Sequence, residues 1–427
     1  MKSGGAYKWI VLALLGGAYF FHQADRALFG LLTVPIQDEL GLTDLQIGWI
    51  NTVLSWTIAV VTFVAGFLGD RLNRKRIITA SLAFWSLATV CMGFAGEWRV
   101  AGAAFSAFAV VMLLRSLATG GGESFYGPSA MSMLAAYHVK TRSFAFSVHQ
   151  AALYFGLMTS GILSAWALGL LGSWRRVFMA FGGAGLLLAI VFLWALREPD
   201  EDRMCRSQGG ISAGKALKAF FANPSALLAT SGFVAIVFVN NAYLFWAPKF
   251  MFAKFGVSVE EAGTATMLYH HLFAFAAILA GGVVTDRFVR RLPRFRLGFQ
   301  IAALLLGAPC LALVGLCPSV ASTIAATAAY GLFRGCFEVN THASVFDVIP
   351  AGIRASAVGF MLLLAFFVGG LSGVFMGALS SRFGVRGFEI GFVAMGGAYL
   401  LAAALMSVSF FFTFRRDRLR AAAEIPQ

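Results

Sequence analysis

Runs of roughly 20 apolar residues recur along this chain, each long enough to cross a hydrocarbon core of about 30 Å as a helix. That single feature leaves few folds open. Inside a bilayer every backbone N–H and C=O must pair within its own helix or within a closed barrel. Leu, Ala, Phe and Gly dominate the runs, and none alternates like a barrel strand of roughly 10 residues. Of the 427 residues, 59% are hydrophobic and 12% charged, against about 25% charged in an ordinary soluble domain. A soluble core could not hide this much apolar surface.

Twelve helical spans are predicted. In the first half they cover about 9–33, 47–69, 77–95, 103–134, 143–170 and 175–196. In the second half they cover about 225–248, 262–285, 297–316, 319–346, 355–380 and 388–413. Asp25 and Arg26 lie within the first run, and no small-residue cleavage site follows it, so it reads as a retained helix rather than a signal peptide. Placing both termini in the cytoplasm puts 23 of the 33 Lys and Arg residues on that side, as the positive-inside rule requires. The net charge of +14 is therefore a topology signal. It is scattered over short loops instead of gathered on one face, which argues against a nucleic-acid partner. The expected location is the cell inner (plasma) membrane, multi-pass.

No motif pairs the five Cys residues, and neither a metal-ligand spacing nor a redox CxxC is present. Gly120-Gly121-Gly122 lacks the Lys-Ser/Thr of a phosphate loop. The chain is expected to be no enzyme and to need no cofactor.

Two stretches recur at a nearly fixed displacement. Gly41-Leu-Thr-Asp-Leu-Gln-Ile-Gly48 is echoed by Gly256-Val-Ser-Val-Glu-Glu-Ala-Gly263, and Gly66-Phe-Leu-Gly-Asp70-Arg71 by Gly282-Val-Val-Thr-Asp286-Arg287. Pro35 and Pro248 hold similar places, as do Arg142 and Arg354. The expected fold is an all-α membrane protein, twelve transmembrane helices in two pseudo-symmetric six-helix bundles. These are residues 1–197 and 223–427, with a cytoplasmic linker at 198–222. Parallel repeats of this kind are expected to rock about a midplane site.

The stretch from Gly66 to Arg76, GFLGDRLNRKR, resembles the signature loop between the second and third helices of the major facilitator superfamily. Asn73 departs from the usual Gly, and Asn tolerates a left-handed backbone better than other residues do. The resemblance implies twelve helices, alternating access and a central cavity. On the residues alone, Asp70 ends a helix beside Arg71, Arg74, Lys75 and Arg76. An acid placed there can accept from a helix N-terminus or a basic residue and latch one state. The gating candidates are Gly66, Asp70, Arg71, Arg74 and their echoes Gly282, Asp286 and Arg287.

Charges within spans need a partner or a function. Asp25 and Arg26 lie in the first span, Arg115 and Glu123 in the fourth, and Arg334 and Glu338 in the tenth, four apart on one helix face. A carboxylate in a partly dry cavity takes up a proton more readily than one in water. Asp25 and Glu123 are thus the proton carriers expected, with His22 sharing a path with Asp25. Arg26 and Arg115 can hold either the released carboxylate or a substrate anion, since a guanidinium fork suits a planar acid or a phosphate. Arg334 and Glu338 serve equally well as a structural ion pair. Tyr126, His149, Gln150, Tyr154, Asn240, Asn241, Tyr243, Asn340 and His342 supply further polar groups, which either bind substrate or tie helices together.

Ala24-Asp25-Arg26-Ala27 in the first span, and Arg115 followed by Gly120-Gly-Gly-Glu123-Ser-Phe-Tyr126 in the fourth, resemble two branches of that superfamily. One is the anion:cation symporter group, associated with sugar acids and other organic anions. The other is the Spinster-like group, associated with lysophospholipids and sphingolipids. The match implies coupling and anion-binding roles for Asp25, Arg26, Arg115 and Glu123. Arg115 and Glu123 are eight apart where the branches have seven. On an α-helix that sets them about 80° apart instead of about 20°, unless a wide turn restores the register. The expectation is proton-coupled symport of a small organic anion by a monomer among membrane lipids. Movement of an anionic lysolipid is the alternative, and a non-transporting sensor a remote one.

Overall fold

The computed structural model describes residues 4–69, 73–100, 102–138, 141–198, 213–289, 291–350 and 353–423. Asp70, Arg71, Cys205 and most of the expected linker, 199–212, lie outside the described residues. The fold is all-α and membrane-spanning, apart from one small antiparallel pair of strands, β1 (Trp98–Val100) and β2 (Ala103–Phe105).

The chain divides into two compact units. The first comprises residues 1–208, 244–252 and 257–267; the second comprises 209–243, 253–256 and 268–427. The first begins with α1 (Gly4–Leu31), α2 (Thr33–Leu40), α3 (Asp44–Gly69) and α4 (Arg74–Met92). After the strands come α5 (Ala107–Val111), a π-helical segment π1 (Met112–Thr119), α6 (Gly120–Tyr137), α7 (Arg142–Leu171) and α8 (Trp174–Ala195). Next are α9 (Ala213–Phe221), α10 (Pro224–Phe255) and α11 (Val259–Val289), the last two contributing residues to both units. The second unit continues with α12 (Phe295–Leu316), α13 (Val320–Glu338), α14 (Thr341–Phe346), α15 (Arg354–Phe383) and α16 (Val385–Val408). A second π-helical segment, π2 (Ser409–Thr413), leads into α17 (Phe414–Ala423).

Among the described residues, eight helices are long and apolar enough to span a bilayer by length and composition. The other four expected spans fall on α1, α4, the α5–π1–α6 stretch and α13. Three of those four carry the buried charges, which lower their apolar content, and α4 opens on Arg74-Lys75-Arg76.

The sequence repeat has a shared local geometry. Gly41 and Gly256 both adopt left-handed φ, +64° and +66°, as their helices end. Two residues on, Thr43 and Ser258 cap the next helix: Thr43 Oγ1 accepts from Gln46 N (3.3 Å) and Ser258 Oγ from Glu261 N (3.0 Å). In the first copy Thr43 N also donates to Gln46 Oε1 (2.8 Å), completing a capping box. The copies differ at their prolines. The chain breaks near Leu32 before Pro35, whereas α10 runs unbroken through Pro248. Asn73 is not left-handed (φ −66°, ψ 118°). It stands where Gly is usual because it works as an N-cap, its side chain accepting from Arg76 N at 2.9 Å.

Helices approach closely where glycine removes the side chain. A Cβ on Gly156 of α7 would meet the Phe20 carbonyl of α1 at 2.5 Å, and one on Gly331 of α13 would collide with the His270 carbonyl of α11. In lipid, where no hydrophobic drive separates helix from solvent, such backbone proximity is a main source of association.

Candidate functional site

The first unit gathers its charges around one face of α1. His22, Asp25 and Arg26 fall on that face by their three- and four-residue spacings, and Tyr19 precedes His22 by another three. Asp25 is 3% exposed. One of its oxygens accepts from Thr89 Oγ1 of α4 at 3.0 Å, while Oδ1 has no hydrogen-bond partner among the described residues. Arg115, on π1 and 1% exposed, donates NH2 to the Arg26 carbonyl at 2.7 Å, and its guanidinium lies 5.8 Å from the Phe29 ring centre. Glu123 of α6 is buried, with Oε2 3.5 Å from His22 Nε2. Glu123 feels the charges of both Arg115 and Arg26, and Asp25 feels Arg115 and Glu123. Neither Glu123 carboxylate oxygen has a hydrogen-bond partner among the described residues, so the acids and guanidiniums act on one another at longer range than an ion pair. Burying charges so loosely compensated costs several kcal/mol each, an order-of-magnitude figure of roughly that size per ion.

The spacing of eight between Arg115 and Glu123 is absorbed by π1. A π turn closes i→i+5 instead of i→i+4, so it takes in one extra residue per turn. That extra residue lets a separation of eight behave as seven would on an α-helix. Gly120 and Gly122 follow directly, packed against Leu54 of α3 and Trp85 of α4.

Aromatic rings wall this cluster. Tyr19 stacks on His149 of α7, centroids 4.3 Å apart and 10° from parallel. Trp85 stands edge-on to Tyr126 (5.7 Å) and to His22 (5.3 Å). The Tyr126 hydroxyl donates to the Leu15 carbonyl at 2.5 Å and lies 3.4 Å from His149 Nε2. Tyr154 is buried nearby on α7, whereas Gln150 is exposed.

The second unit has its own polar cluster. Tyr243 of α10 sits 4.5 Å from His270, centroid to centroid, and His270 stacks on Tyr330 of α13 at 4.7 Å. Arg334 NH1 lies 3.1 Å from His270 Nε2, and NH2 lies 3.2 Å from Glu338 Oε2 on the same helix. Asn241 is buried on α10 beside the less buried Asn240. Asn340 donates to Thr285 Oγ1 of α11 at 3.0 Å, whereas His342 is exposed beside Phe233 and Phe346.

Of the gating candidates, Gly66 lies in the last turn of α3, and Asp286 and Arg287 are exposed on α11 after Gly282. Arg74 opens α4, its NH1 3.4 Å from the Ser132 carbonyl. The acid that meets this helix N-terminus among the described residues is Glu198, which accepts from Arg74 N (3.0 Å) and Lys75 N (2.8 Å). Sequence reasoning missed Glu198 because it lies over a hundred residues away in the chain. Thr89 and Trp85 were missed too, since only helix packing brings α4 to α1. Tyr19 had a usable signal in its spacing of three from His22. Lys249, which contacts Asp44 and Gln37, had one in its place beside the repeated Pro248.

A multi-span fold with charges of both signs buried against aromatic walls is the arrangement of a functional intramembrane site. The Major Facilitator Superfamily model matches residues 15–370, and the chain belongs to that family. It is 26% identical over 306 residues to "Probable galactarate/D-glucarate transporter GudP" of Bacillus subtilis, covering 66% of this chain and 66% of that one. It is 26% identical over 395 residues to protein spinster homolog 1 of Bos taurus, covering 87% and 73%. With the rat homolog of the latter the match spans 45% of the relative's length. In fold it is similar to a bacterial homolog of the human lysosomal transporter Spinster, solved inward-facing and unoccupied. That match has a TM-score of 0.82 at 22% identity and covers 98% of this chain and 99% of the other. The chain is thus a transporter-fold protein related to both the anion:cation symporter and the Spinster-like branches.

Proposed function

We propose that this protein is a secondary active transporter that moves an anionic amphiphile, a lysophospholipid or sphingolipid, by alternating access coupled to protons. The observation that carries the reading is the buried Asp25–Arg26–Arg115–Glu123 cluster set against Tyr19, Trp85, Tyr126 and Phe29. Guanidiniums suit an anionic head, and apolar rings suit a body that sheds water. Similarity to the Spinster homolog along nearly the whole chain supports the same branch. In this reading twelve helices cross the inner membrane with both termini cytoplasmic, and the repeated Gly–Asp–Arg loops act as gates.

The coupling follows from the cluster. With Glu123 ionised, its charge draws on Arg115 and Arg26 without a direct hydrogen bond to either. A proton arriving through His22, 3.5 Å away, neutralises Glu123 and frees guanidinium capacity for the substrate head. Asp25, tethered by Thr89, is the second acceptor. A second reading, proton-coupled symport of a sugar acid, is favoured by the likeness to GudP over two thirds of this chain.

The test is uptake into proteoliposomes of lysophosphatidylglycerol, sphingosine phosphate and glucarate, with and without an imposed pH gradient. Gradient-driven movement of a lipid, lost in Asp25→Asn/Glu123→Gln, supports the proposal. Movement of glucarate alone establishes the second reading. Transport indifferent to the gradient and to both substitutions removes proton coupling.

A further inference from the structure

The second unit carries a groove unrelated to the buried charges. Its volume is about 950 Å³, near the upper end of the roughly 300–1,000 Å³ that ligand pockets take. It lies where α12 begins and π2 runs into α17, the ends of two candidate spans. Phe299, Phe410 and Phe414 form much of its apolar wall, and Arg294, Arg415 and Arg418 stand on its lining. The Arg294 guanidinium rests 5.6 Å from the Phe410 ring centre.

The charges here are arranged differently from those of a structural ion pair. Arg416, between two of the groove arginines, is the one that pairs with Asp417, Nε to Oδ1 at 2.9 Å. The other carboxylate oxygen of Asp417 accepts from Ser225 Oγ at 2.7 Å. No ion pair holds Arg294, Arg415 or Arg418 among the described residues. Three arginines therefore line one apolar groove with no ion-paired acid among the described residues. The positive-inside count assigns this end to the cytoplasmic leaflet, which is rich in anionic lipid headgroups.

The geometry points to a binding site for a resident anionic phospholipid: acyl chain along the phenylalanines, phosphate on Arg294, Arg415 and Arg418. This lipid is a bound partner of the fold, separate from any substrate of the buried cluster. A guanidinium near a lipid surface is worth about fivefold in affinity, so three together give about a hundredfold.

The experiment is native mass spectrometry of the purified full chain, titrated with phosphatidylglycerol, phosphatidylcholine or inorganic phosphate. The wild type should retain phosphatidylglycerol over phosphatidylcholine. Arg294→Ala/Arg415→Ala/Arg418→Ala should lose about a hundredfold in phosphatidylglycerol affinity, while Arg386→Ala, an exposed arginine at the start of α16 and off the groove, should lose nothing. Arg415 and Arg418 are exposed, so a thermal melt serves as the folding control. Ala302→Trp, at an exposed position on the lining, should fill the groove and weaken lipid binding with all three arginines intact. Equal retention of the two phospholipids, or phosphatidylglycerol binding unchanged in the triple variant, overturns the proposal. So does phosphate binding that displaces the lipid and survives Ala302→Trp, or a dimer whose second copy covers the groove.

Discussion

Lys249 donates its ammonium to the Asp44 carboxylate and, at 2.5 Å, to Gln37 Oε1, closing a polar knot in the first unit at the start of α3. Gln37 in turn donates to Asp44 Oδ1 (2.8 Å) and to the Leu42 carbonyl (3.0 Å). The Lys249 and Asp44 side chains are 17% and 16% exposed, so water screens the pair only in part. Lys249→Met leaves a half-buried carboxylate without its cation and should cost about 1.5–3 kcal/mol, the range for a charged hydrogen bond. The exchange Lys249→Asp/Asp44→Lys should recover part of that. Thermal melts in detergent of both singles and the exchanged double check this; additive losses in the double would mean that the two residues are not coupled.

How much of this was legible in the sequence depended on whether a contact is local. The helical class, the two-copy repeat and the charged residues of the fourth span follow from hydrophobic run length and short spacings. So Gly41 and Gly256 reappear as paired left-handed helix ends. The His22–Glu123 approach, the Thr89–Asp25 bond and the Glu198 cap were not legible, because each joins residues 64 to 124 positions apart. The twelve-span count weakened at α1, at α5–π1–α6 and at α13, where the site takes the place of apolar residues. Function and hydropathy compete for the same positions there.

The π segment makes a specific claim about register. Deleting Leu117, which is exposed and contributes little packing, removes the extra residue and should convert Met112–Thr119 to ordinary α-helix. Arg115 and Glu123 would then be seven apart and still share a face. The variant should fold with its melting temperature close to wild type. Deleting Phe125 instead, beyond both residues, should leave the pair aligned but rotate Tyr126 off the cluster and lower transport. Circular dichroism melts and proteoliposome uptake separate these cases; a deletion of Leu117 that unfolds the chain refutes the register argument.

Glu39 on α2 accepts from Arg175 Nε at 2.7 Å and from Trp174 Nε1 at 2.5 Å. The Arg175 hydrogen bond holds the Glu39 carboxyl below the usual glutamate range, working against partial burial and helped by Trp174. A depressed folded value means the stabilisation is complete above the ordinary glutamate range and is lost as pH falls through the lower folded value. The Glu39 side chain is 46% exposed, so the effect is at most about 1 kcal/mol. Glu39→Gln should flatten the acid limb of the stability–pH curve: it lowers stability by up to about 1 kcal/mol at neutral pH and above, and converges with wild type at low pH. A loss that appears only at low pH would contradict the sign.

Gly331 couples packing to the second polar cluster. Its backbone sits directly against the His270 carbonyl, which fixes α13 close to α11. Arg334, one turn on, reaches His270 Nε2 at 3.1 Å only at that separation, and Tyr330 stacks on the same ring at 4.7 Å. Gly331→Ala forces backbone to move because no flexible side chain can yield. Overpacking of this kind typically costs about 1–3 kcal/mol. The cost should come with a second effect that a merely destabilised protein would not show. Moving α13 away lengthens the Arg334–His270 contact, so Gly331→Ala and His270→Ala should be strongly non-additive in transport rate. A double variant no worse than either single is the expected result of a double-mutant cycle. Additive losses would mean that Gly331 serves stability alone and that the His270–Arg334 contact carries no share of transport.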